Sequence, residues 1–419
     1  HTLLATGHAV VVATDQPDAA RRMIDPGLPG EVLALDAADA RAVRGAVARA
    51  DAALSLLPVG FHARIAEACI AERRPCVTTS YVSPEMRDLD GEARRRSVLL
   101  LNEVGADPGI DHMLAMRAIH RLQAAGATIT GFRSLCGGIP APEAADNPFR
   151  YKISWSPRGV VLAGARPARF RRDGEIVRVG AGEVFAHAAP LPIAGLGFLE
   201  LYPNGDALRF EEEYGLREPR TMLRGTLRWP GWCETWAALC RLGWVDETPD
   251  LALAGSTYAD AARRTAGANG GATPREAVAR RLGLPAGHAI LDRLQWLGLF
   301  DDRPVPRAVK SRADLLVERL EATMAYGPGE RDLVVLHHEV AWESGSGEHG
   351  AFRGSLVEYG EAGGDTAMSR LVGLPAAFAT RRILDGTIRE TGVRIPVSPG
   401  IFLPILADLQ SAGVAEREA

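Results

Sequence analysis

The sequence predicts an α/β protein with a doubly wound parallel sheet first and an α+β domain on a mixed sheet after it. Three observations carry this: apolar runs in the first hundred residues that are continuous rather than alternating, helical-period stretches between them, and a change of texture near residue 127. With 419 residues, 47% hydrophobic and 24% charged, the chain exceeds what one core usually organises, so two or three domains are expected.

The apolar runs are VVVA at 10–13, EVLAL at 31–35, AALSLL at 52–57, PCVTT at 75–79 and SVLLLNE at 97–103. Strands buried on both faces of a parallel sheet read this way. Between them, ADARAVRGAVARA at 38–50 and GFHARIAEACIAE at 60–72 keep apolar residues at helical spacing. Ser83-Pro84-Glu85 offers an N-cap and a first-turn proline. From about 127, ATITGFRSLCGG, ARFRRDGEIVRVG, ALRFEEEYG and RDLVVLHHEVAWE read as longer strands of a mixed or antiparallel sheet. Residues 232–320 read as helices, with a Thr273/Glu276 capping box in TPREAVARRLG. The tail reads as an amphipathic helix at 369–386 and a second helix in IFLPILADLQSAG.

A net charge of -4 and a pI near 6.3 give no positive field for nucleic acid or anionic lipid, so neither is an expected partner. The longest apolar candidate, AHAAPLPIAGLGFLELY at 186–202, is broken by prolines and glycines, and no membrane span is expected. Five cysteines without a CxxC pair argue against a disulfide framework or a structural zinc site and favour a reducing, cytoplasmic compartment. The histidines show no HExxH spacing, and His337-His338 sits in a strand-like run, so no metal is expected.

Ligands of doubly wound sheets bind beyond the carboxyl ends of the strands. The residues there are Thr14-Asp15, Leu35-Asp36, Leu57-Pro58, Thr78-Thr79-Ser80-Tyr81 and Glu103 through Asp107. Asp15 has the position of a ribose-binding carboxylate, which would accept from both hydroxyls and repel a 2'-phosphate; Asp-Gln-Pro-Asp is equally ordinary turn chemistry. The glycine-rich phosphate loop expected roughly 20 residues earlier does not fit in the fourteen residues before Asp15. In LLNEVGADPGIDHMLAM, 100–116, Asp107, Asp111 and His112 crowd titratable groups into one strand-to-helix turn. The aperiodic SLCGGIPAPEAADNPFRYKISWSPRGV, 134–160, reads as a functional loop or a proline-stiffened connection, with Cys136 either a buried small residue or a reactive one. In RGTLRWPGWCETW, 224–236, alternation would put Arg224, Thr226 and Arg228 on one strand face, as a carboxylate clamp or a structural ion pair.

Together SLLPVGFHARIAEACI, VTTSYVSPEM, LNEVGADPGIDHMLAM, NPFRYKISWSPRGV, YPNGDALRFEEEYG, RGTLRWPGWCETW and MSRLVGLPAAFATRRILDGTI resemble the saccharopine reductases, the glutamate-forming saccharopine dehydrogenases. The resemblance implies a Rossmann-like domain at 1–106 whose first strand and glycine loop precede this segment. It further implies a mixed-sheet substrate and dimerisation domain at 107–231 and 321–385, a helical insertion at 232–320, and a C-terminal segment, 386–419, returning to the first domain. It implies hydride transfer between a nicotinamide cofactor, NAD or NADP, and the imine or secondary amine joining aminoadipate semialdehyde to glutamate, in a homodimer.

Carried over residue by residue, Thr14, Asp15, Gln16, Leu35, Asp36, Leu56, Thr78, Thr79, Ser80, Gly105 and Ala106 would contact the cofactor. Ser80, Tyr81, Asp107, Ser154, Thr226 and Arg228 would contact the substrate, and Tyr81, Asp107 or Cys136 would relay protons. Two departures stand out. Relatives usually carry arginine where Asp15 stands, so the acid favours NAD. Relatives commonly read YPNRDS where this chain has YPNGDA, so Gly205 replaces an arginine expected to grip a carboxylate; Arg209 or Arg220 would have to substitute. The alternatives are an opine- or polyamine-forming imine reductase and an inactive ligand-binding relative.

Overall fold

The computed structural model describes residues 1–24, 27, 30–268 and 271–418. It falls into two compact units: His1–Arg121 with Ser369–Ala415, and Leu122–Met368 with the last residues from Glu416. In chain order the strands are β1 (Val10–Thr14), β2 (Gly30–Ala34), β3 (Ala53–Ser55), β4 (Cys76–Thr78), β5 (Leu99–Leu101) and β6 (Ala127–Pro140). Then follow β7 (Ala168–Arg172), β8 (Glu175–Val179), β9 (Ala189–Ile193), β10 (Gly197–Pro203) and β11 (Thr221–Arg228). The last are β12 (Asp332–Ser344), β13 (His349–Tyr359), β14 (Gly392–Arg394) and β15 (Arg417–Glu418).

The first unit is parallel throughout. β1 pairs with β2, and β14-β5-β4-β3 form a four-stranded sheet. The apolar runs of the sequence are these strands, and β4 and β5 are buried along their whole length. Helices Ala40–Ala48 and His62–Glu72 lie between strands, and Val43, Val47, Ile65, Cys69 and Ile70 share one core with Met86, Val98 and Leu100. The four-residue steps from Val43 to Val47 and from Ile65 to Cys69 keep each pair on one helix face. Each large apolar side chain so buried contributes roughly 1.5–3 kcal/mol. Side-chain caps set the helix starts: Asp39 accepts from the N–H groups of Arg41 and Ala42, and Ser83 from that of Met86.

The second unit is built on a nine-stranded mixed sheet, β15-β13-β12-β6-β11-β10-β9, with β7 beside β11 and β8 beside β7. β6 and β11 run parallel; the long β12 lies antiparallel to both β6 and β13. Helices such as Trp232–Arg241 and Arg312–Thr323 fall in this unit, and the capping box at Thr273 and Glu276 forms. The first unit runs past residue 106 to Arg121 and takes in helix Ala367–Leu384 from Ser369 onward, while Glu416–Glu418 return to the second unit as β15 against β13.

One local expectation is corrected. ALRFEEEYG holds a short helix, Arg209–Glu213, rather than a strand, because four-residue spacing puts Phe210 and Tyr214 on one buried face. The apolar stretch at 186–202 is the hairpin of β9 and β10, with Pro190 and Pro192 on an edge strand where no ladder bond is lost. Among the described residues no helix is long and apolar enough to cross a membrane, and no group of three or more His, Cys, Asp or Glu could hold a metal ion. His337 and His338 are sheet residues, the first bonded through Nδ1 to Ser355 Oγ at 2.7 Å.

Glu339 on β12 lies 3.6 Å from His337 Nε2 and 2.6 Å from Arg133 Nη1. The neighbouring His337 imidazole, joined by Arg133's charge and hydrogen bond against the opposing effect of burial, holds its carboxyl at about 2, below the usual 4.5. A depressed folded-state value stabilises the fold above the unfolded value and loses that stabilisation as pH falls through the folded one. The urea midpoint is therefore expected to fall between pH 4.5 and about 2. Glu339→Gln should flatten that fall and lose on the order of 1–2 kcal/mol at pH 7; an unchanged slope would refute the assignment.

Candidate active site

The carboxyl ends of the parallel strands gather the expected cofactor residues on the first unit. After β1, Thr14 Oγ1 accepts from the Gln16 N–H at 3.1 Å, and Asp15 and Gln16 are exposed. Asp15's carboxylate has no hydrogen bond or ion pair among the described residues. After β2, Asp36 is exposed and accepts from the Ala38 N–H, while Leu35 packs against the helical core and keeps only part of its surface for a ligand. Leu56, just after β3, is 59% exposed, an apolar side chain left in water at a ligand-binding edge.

The segment after β4 divides its roles. Thr78 turns inward, buried, with Oγ1 3.2 Å from His62 Nε2. Thr79 is half-buried, near Gly105. Ser80 is half-buried with Oγ 2.9 Å from His62 Nε2, and Tyr81 is 40% exposed with its hydroxyl donating to Asp107 Oδ1 at 2.7 Å. Residues 26 apart in sequence therefore meet as a phenol and a carboxylate. Glu103 braces this pair from behind: its N–H donates to the Ser80 carbonyl, and its buried carboxylate accepts from the Val82 N–H.

The turn 105–111 is closed by its own hydrogen bonds. The Gly105 N–H donates to the Pro108 carbonyl, the Gly105 and Ala106 carbonyls accept from Ile110 and Asp111, and Asp111 Oδ1 accepts from the Gly109 N–H. A Cβ at Gly109, φ +147°, would collide with the Gly105 backbone, so this position needs glycine. Of the three titratable groups expected here, Asp111 and His112 are fully buried, His112 Nε2 lying 2.8 Å from Glu103 Oε2. Asp107 is the member with surface to offer. Gly105 and Ala106 use most of their polar backbone within the turn, so a role at the cofactor would rest on their shape.

On the second unit, Thr226 is registered against Cys136 of β6 and Tyr202 of β10, and Arg224 and Arg228 flank it at two-residue steps on the same face. Arg228 is 3% exposed. Its guanidinium lies 5.1 Å from the Tyr151 ring centre, 5.7 Å from Trp232 and 6.0 Å from Tyr202. Nη1 donates to the Leu227 carbonyl at 2.8 Å, and Nε is buried without a partner. No carboxylate pairs with Arg228 among the described residues. Burial pushes the Tyr202 phenol up, so it stays neutral and supplies no counter-charge. Arg224 is buried over the Phe210 ring at 4.4 Å.

Ser154 Oγ and the Tyr326 hydroxyl are neighbours in this unit, both buried and without a partner in hydrogen-bond geometry. Burial likewise pushes Tyr326 up. Cys136 is half-buried and in no disulfide. Gly205, φ +64°, has open space where a side chain would stand. Neither arginine considered as a substitute points to that role by its contacts: Arg209 lies over Phe210 at 4.4 Å, and Arg220 is exposed. His62 and Tyr326 are the residues that sequence reasoning missed. His62 stands in the first helical turn after β3, a few residues beyond the strand end that was inspected; Tyr326 follows helix Arg312–Thr323 with no local signal.

Parallel strands whose carboxyl ends gather an exposed acid, an exposed apolar side chain and a phenol–carboxylate pair define a doubly wound α/β ligand-binding unit. The comparisons narrow the class. A family model described as the saccharopine dehydrogenase NADP binding domain matches residues 1–101, and one described as the saccharopine dehydrogenase C-terminal domain matches residues 105–414. The chain is 36% identical to saccharopine dehydrogenase [NADP(+), L-glutamate-forming] of Pyricularia oryzae, over 97% of this chain and 92% of that one. It is 37% identical to the mitochondrial alpha-aminoadipic semialdehyde synthase of Bos taurus, over 88% of this chain and 40% of that one. The structure of apo saccharopine dehydrogenase (L-Glu forming) from Saccharomyces cerevisiae superimposes with a TM-score of 0.90 at 35% identity, covering 100% of this chain and 96% of that one. The chain belongs to the saccharopine dehydrogenase family and is a saccharopine-reductase-like oxidoreductase of the kind that acts on CH–NH groups.

Proposed function

We propose that this protein interconverts saccharopine with aminoadipate semialdehyde and glutamate in lysine metabolism, using NAD in preference to NADP. The observation that carries the substrate assignment is Arg228: a caged guanidinium with no acidic partner calls for an anion, and a carboxylate fits its planar fork. Thr226 on the same face would accept or donate to that group, and Ser154 and Tyr326 would offer further hydroxyls.

The first unit fits a dinucleotide. Asp15 would accept from ribose hydroxyls, Gln16 and Asp36 would border the adenosine, and Leu56 would cover apolar surface. A bound nicotinamide supplies or takes up the hydride. Ser80 and Tyr81 would bind and orient the reacting nitrogen, and Asp107, already the acceptor of Tyr81's proton, would hold a proton at Oδ1 on its way to or from that nitrogen. Cys136, across the sheet from Thr226, is the remaining candidate for proton relay. Relatives named for NADP(+) make the NAD preference a departure resting on Asp15 alone.

A second reading, another amine-forming reductase, is favoured by the open space at Gly205, which would suit an amine partner lacking one carboxylate. On either reading the protein would work as a homodimer in a reducing, cytoplasmic compartment, with its cysteines outside disulfides. Assaying the full-length protein with saccharopine and each cofactor decides among these. Turnover with saccharopine supports the first reading, turnover only with other secondary amines supports the second, and a folded but silent protein overturns both.

A further inference from the structure

We infer that His62 is a positioning residue for the reaction, holding the Ser80 hydroxyl and setting whether that oxygen presents a proton or a lone pair to the reacting molecule. The inference rests on the functional reading above, which places Ser80 at the substrate and nicotinamide end. His62 opens helix His62–Glu72 and is 4% exposed. Its Nδ1 is 2.9 Å from Ser55 Oγ, at the end of β3. Its Nε2 is 2.9 Å from Ser80 Oγ and 3.2 Å from Thr78 Oγ1, at the end of β4. Three hydroxyls from two adjacent strand ends therefore meet on one ring, in the part of the first unit where ligands of such sheets bind.

The ring's charge state follows from what surrounds it. Among the described residues no carboxylate bonds to it, and burial lowers its pKa, so it is a neutral imidazole with one N–H and one bare nitrogen. Two arrangements satisfy it. With the proton on Nδ1, the ring donates to Ser55 and accepts from Ser80, which turns lone pairs toward the ligand. With the proton on Nε2, the ring donates to Ser80, and the serine keeps its own O–H to give away. Thr78 Oγ1 also accepts the Ser80 N–H at 3.4 Å, so the same cluster holds the serine's backbone. A core histidine would need only fixed partners, whereas Ser80 is half-buried and keeps surface for a ligand. Which ring nitrogen carries the proton therefore fixes whether Ser80 offers a lone pair or its own O–H, with no change in the ring's charge.

The test uses the full-length protein oxidising saccharopine with NAD, and the variants His62→Ala, His62→Gln, Ser80→Ala and the double variant His62→Ala/Ser80→Ala. His62→Ala is expected to lower kcat about tenfold or more, with KM for saccharopine changed less than about threefold. His62→Gln, whose amide can still reach Ser80, is expected to recover part of the loss. Adding His62→Ala to Ser80→Ala should cost less than about twofold, because both changes remove one interaction. A wild-type kcat in His62→Ala, or losses that multiply in the double variant, would overturn the inference. Should both His62 variants fail to fold, nitrogen NMR of the wild-type imidazole decides: its ring shifts move when saccharopine and cofactor are added if His62 answers to Ser80, and stay fixed if it is only a structural residue. A wild-type protein without saccharopine turnover, or a Ser80→Ala variant at full rate, would sink the functional reading together with this inference. A slow Ser80→Ala beside a fast His62→Ala would sink the inference alone.

Discussion

Arg228→Met is expected to lower kcat/KM for saccharopine by about two to four orders of magnitude and, at the same time, to raise the melting temperature. Both effects come from one fact: the guanidinium is buried among Tyr151, Tyr202 and Trp232 with no carboxylate bonded to it among the described residues, since the oxygens of Glu200, its cross-strand neighbour, accept from the Gly231 and Cys233 N–H groups. Taking a charge out of water costs several kcal/mol, and three neutral rings return only part of it. Methionine fills a comparable apolar volume and removes that cost, so the ligand-free protein should gain on the order of 1–3 kcal/mol. The substrate loses a desolvated, charge-assisted clamp, which is where the largest binding contributions lie. Thermal melts and steady-state kinetics on one preparation check both halves. An unchanged KM and kcat in the folded variant would show that Arg228 does not hold the substrate, and a lowered melting temperature would show that the charge is compensated.

Asp15→Arg is expected to shift the ratio of kcat/KM with NADP to that with NAD by about a hundredfold toward NADP. The carboxylate is exposed, has no partner, and follows β1 where a ribose would lie. Exchanging it for a guanidinium removes acceptors for the ribose hydroxyls and places a cation beside a 2'-phosphate. Because the contact lies at the surface, the shift should shrink as salt is raised. Cofactor titrations at two ionic strengths, for wild type and variant, are the measurement; equal selectivity in the two proteins would refute the ribose-carboxylate role.

Much of this architecture was legible because it is written in short-range pattern. The continuous apolar runs at 75–79 and 97–103 became β4 and β5, and the capping signals at Ser83 and Thr273 became caps. The two-residue spacing of Arg224, Thr226 and Arg228 became one face of β11. Local pattern misled where two periods competed, as in ALRFEEEYG, where the burial of Phe210 and Tyr214 settled the matter for helix.

The candidate site was readable as a set of positions but not as a set of relationships. Nothing in DPGIDH tells that Asp107 keeps surface while Asp111 and His112 are swallowed by the turn, since that depends on what the helix packs against. His62 and Ser80 lie 18 residues apart, and Tyr81 and Asp107 lie 26 apart. These pairs meet because parallel strands bring their carboxyl ends together, a consequence of sheet assembly and not of neighbouring residues.

By itself, the sequence determined the strand and helix sites, the alternation that aligns the arginines of β11, and the acid that follows β1 at position 15. Only the tertiary structure decided that Arg228 would be buried with no carboxylate bonded to it among the described residues and that His62 would reach Ser80. The physical reason is one of range: periodicity, capping and turn preference act over a few residues, whereas burial and charge pairing are set by segments far apart in the chain.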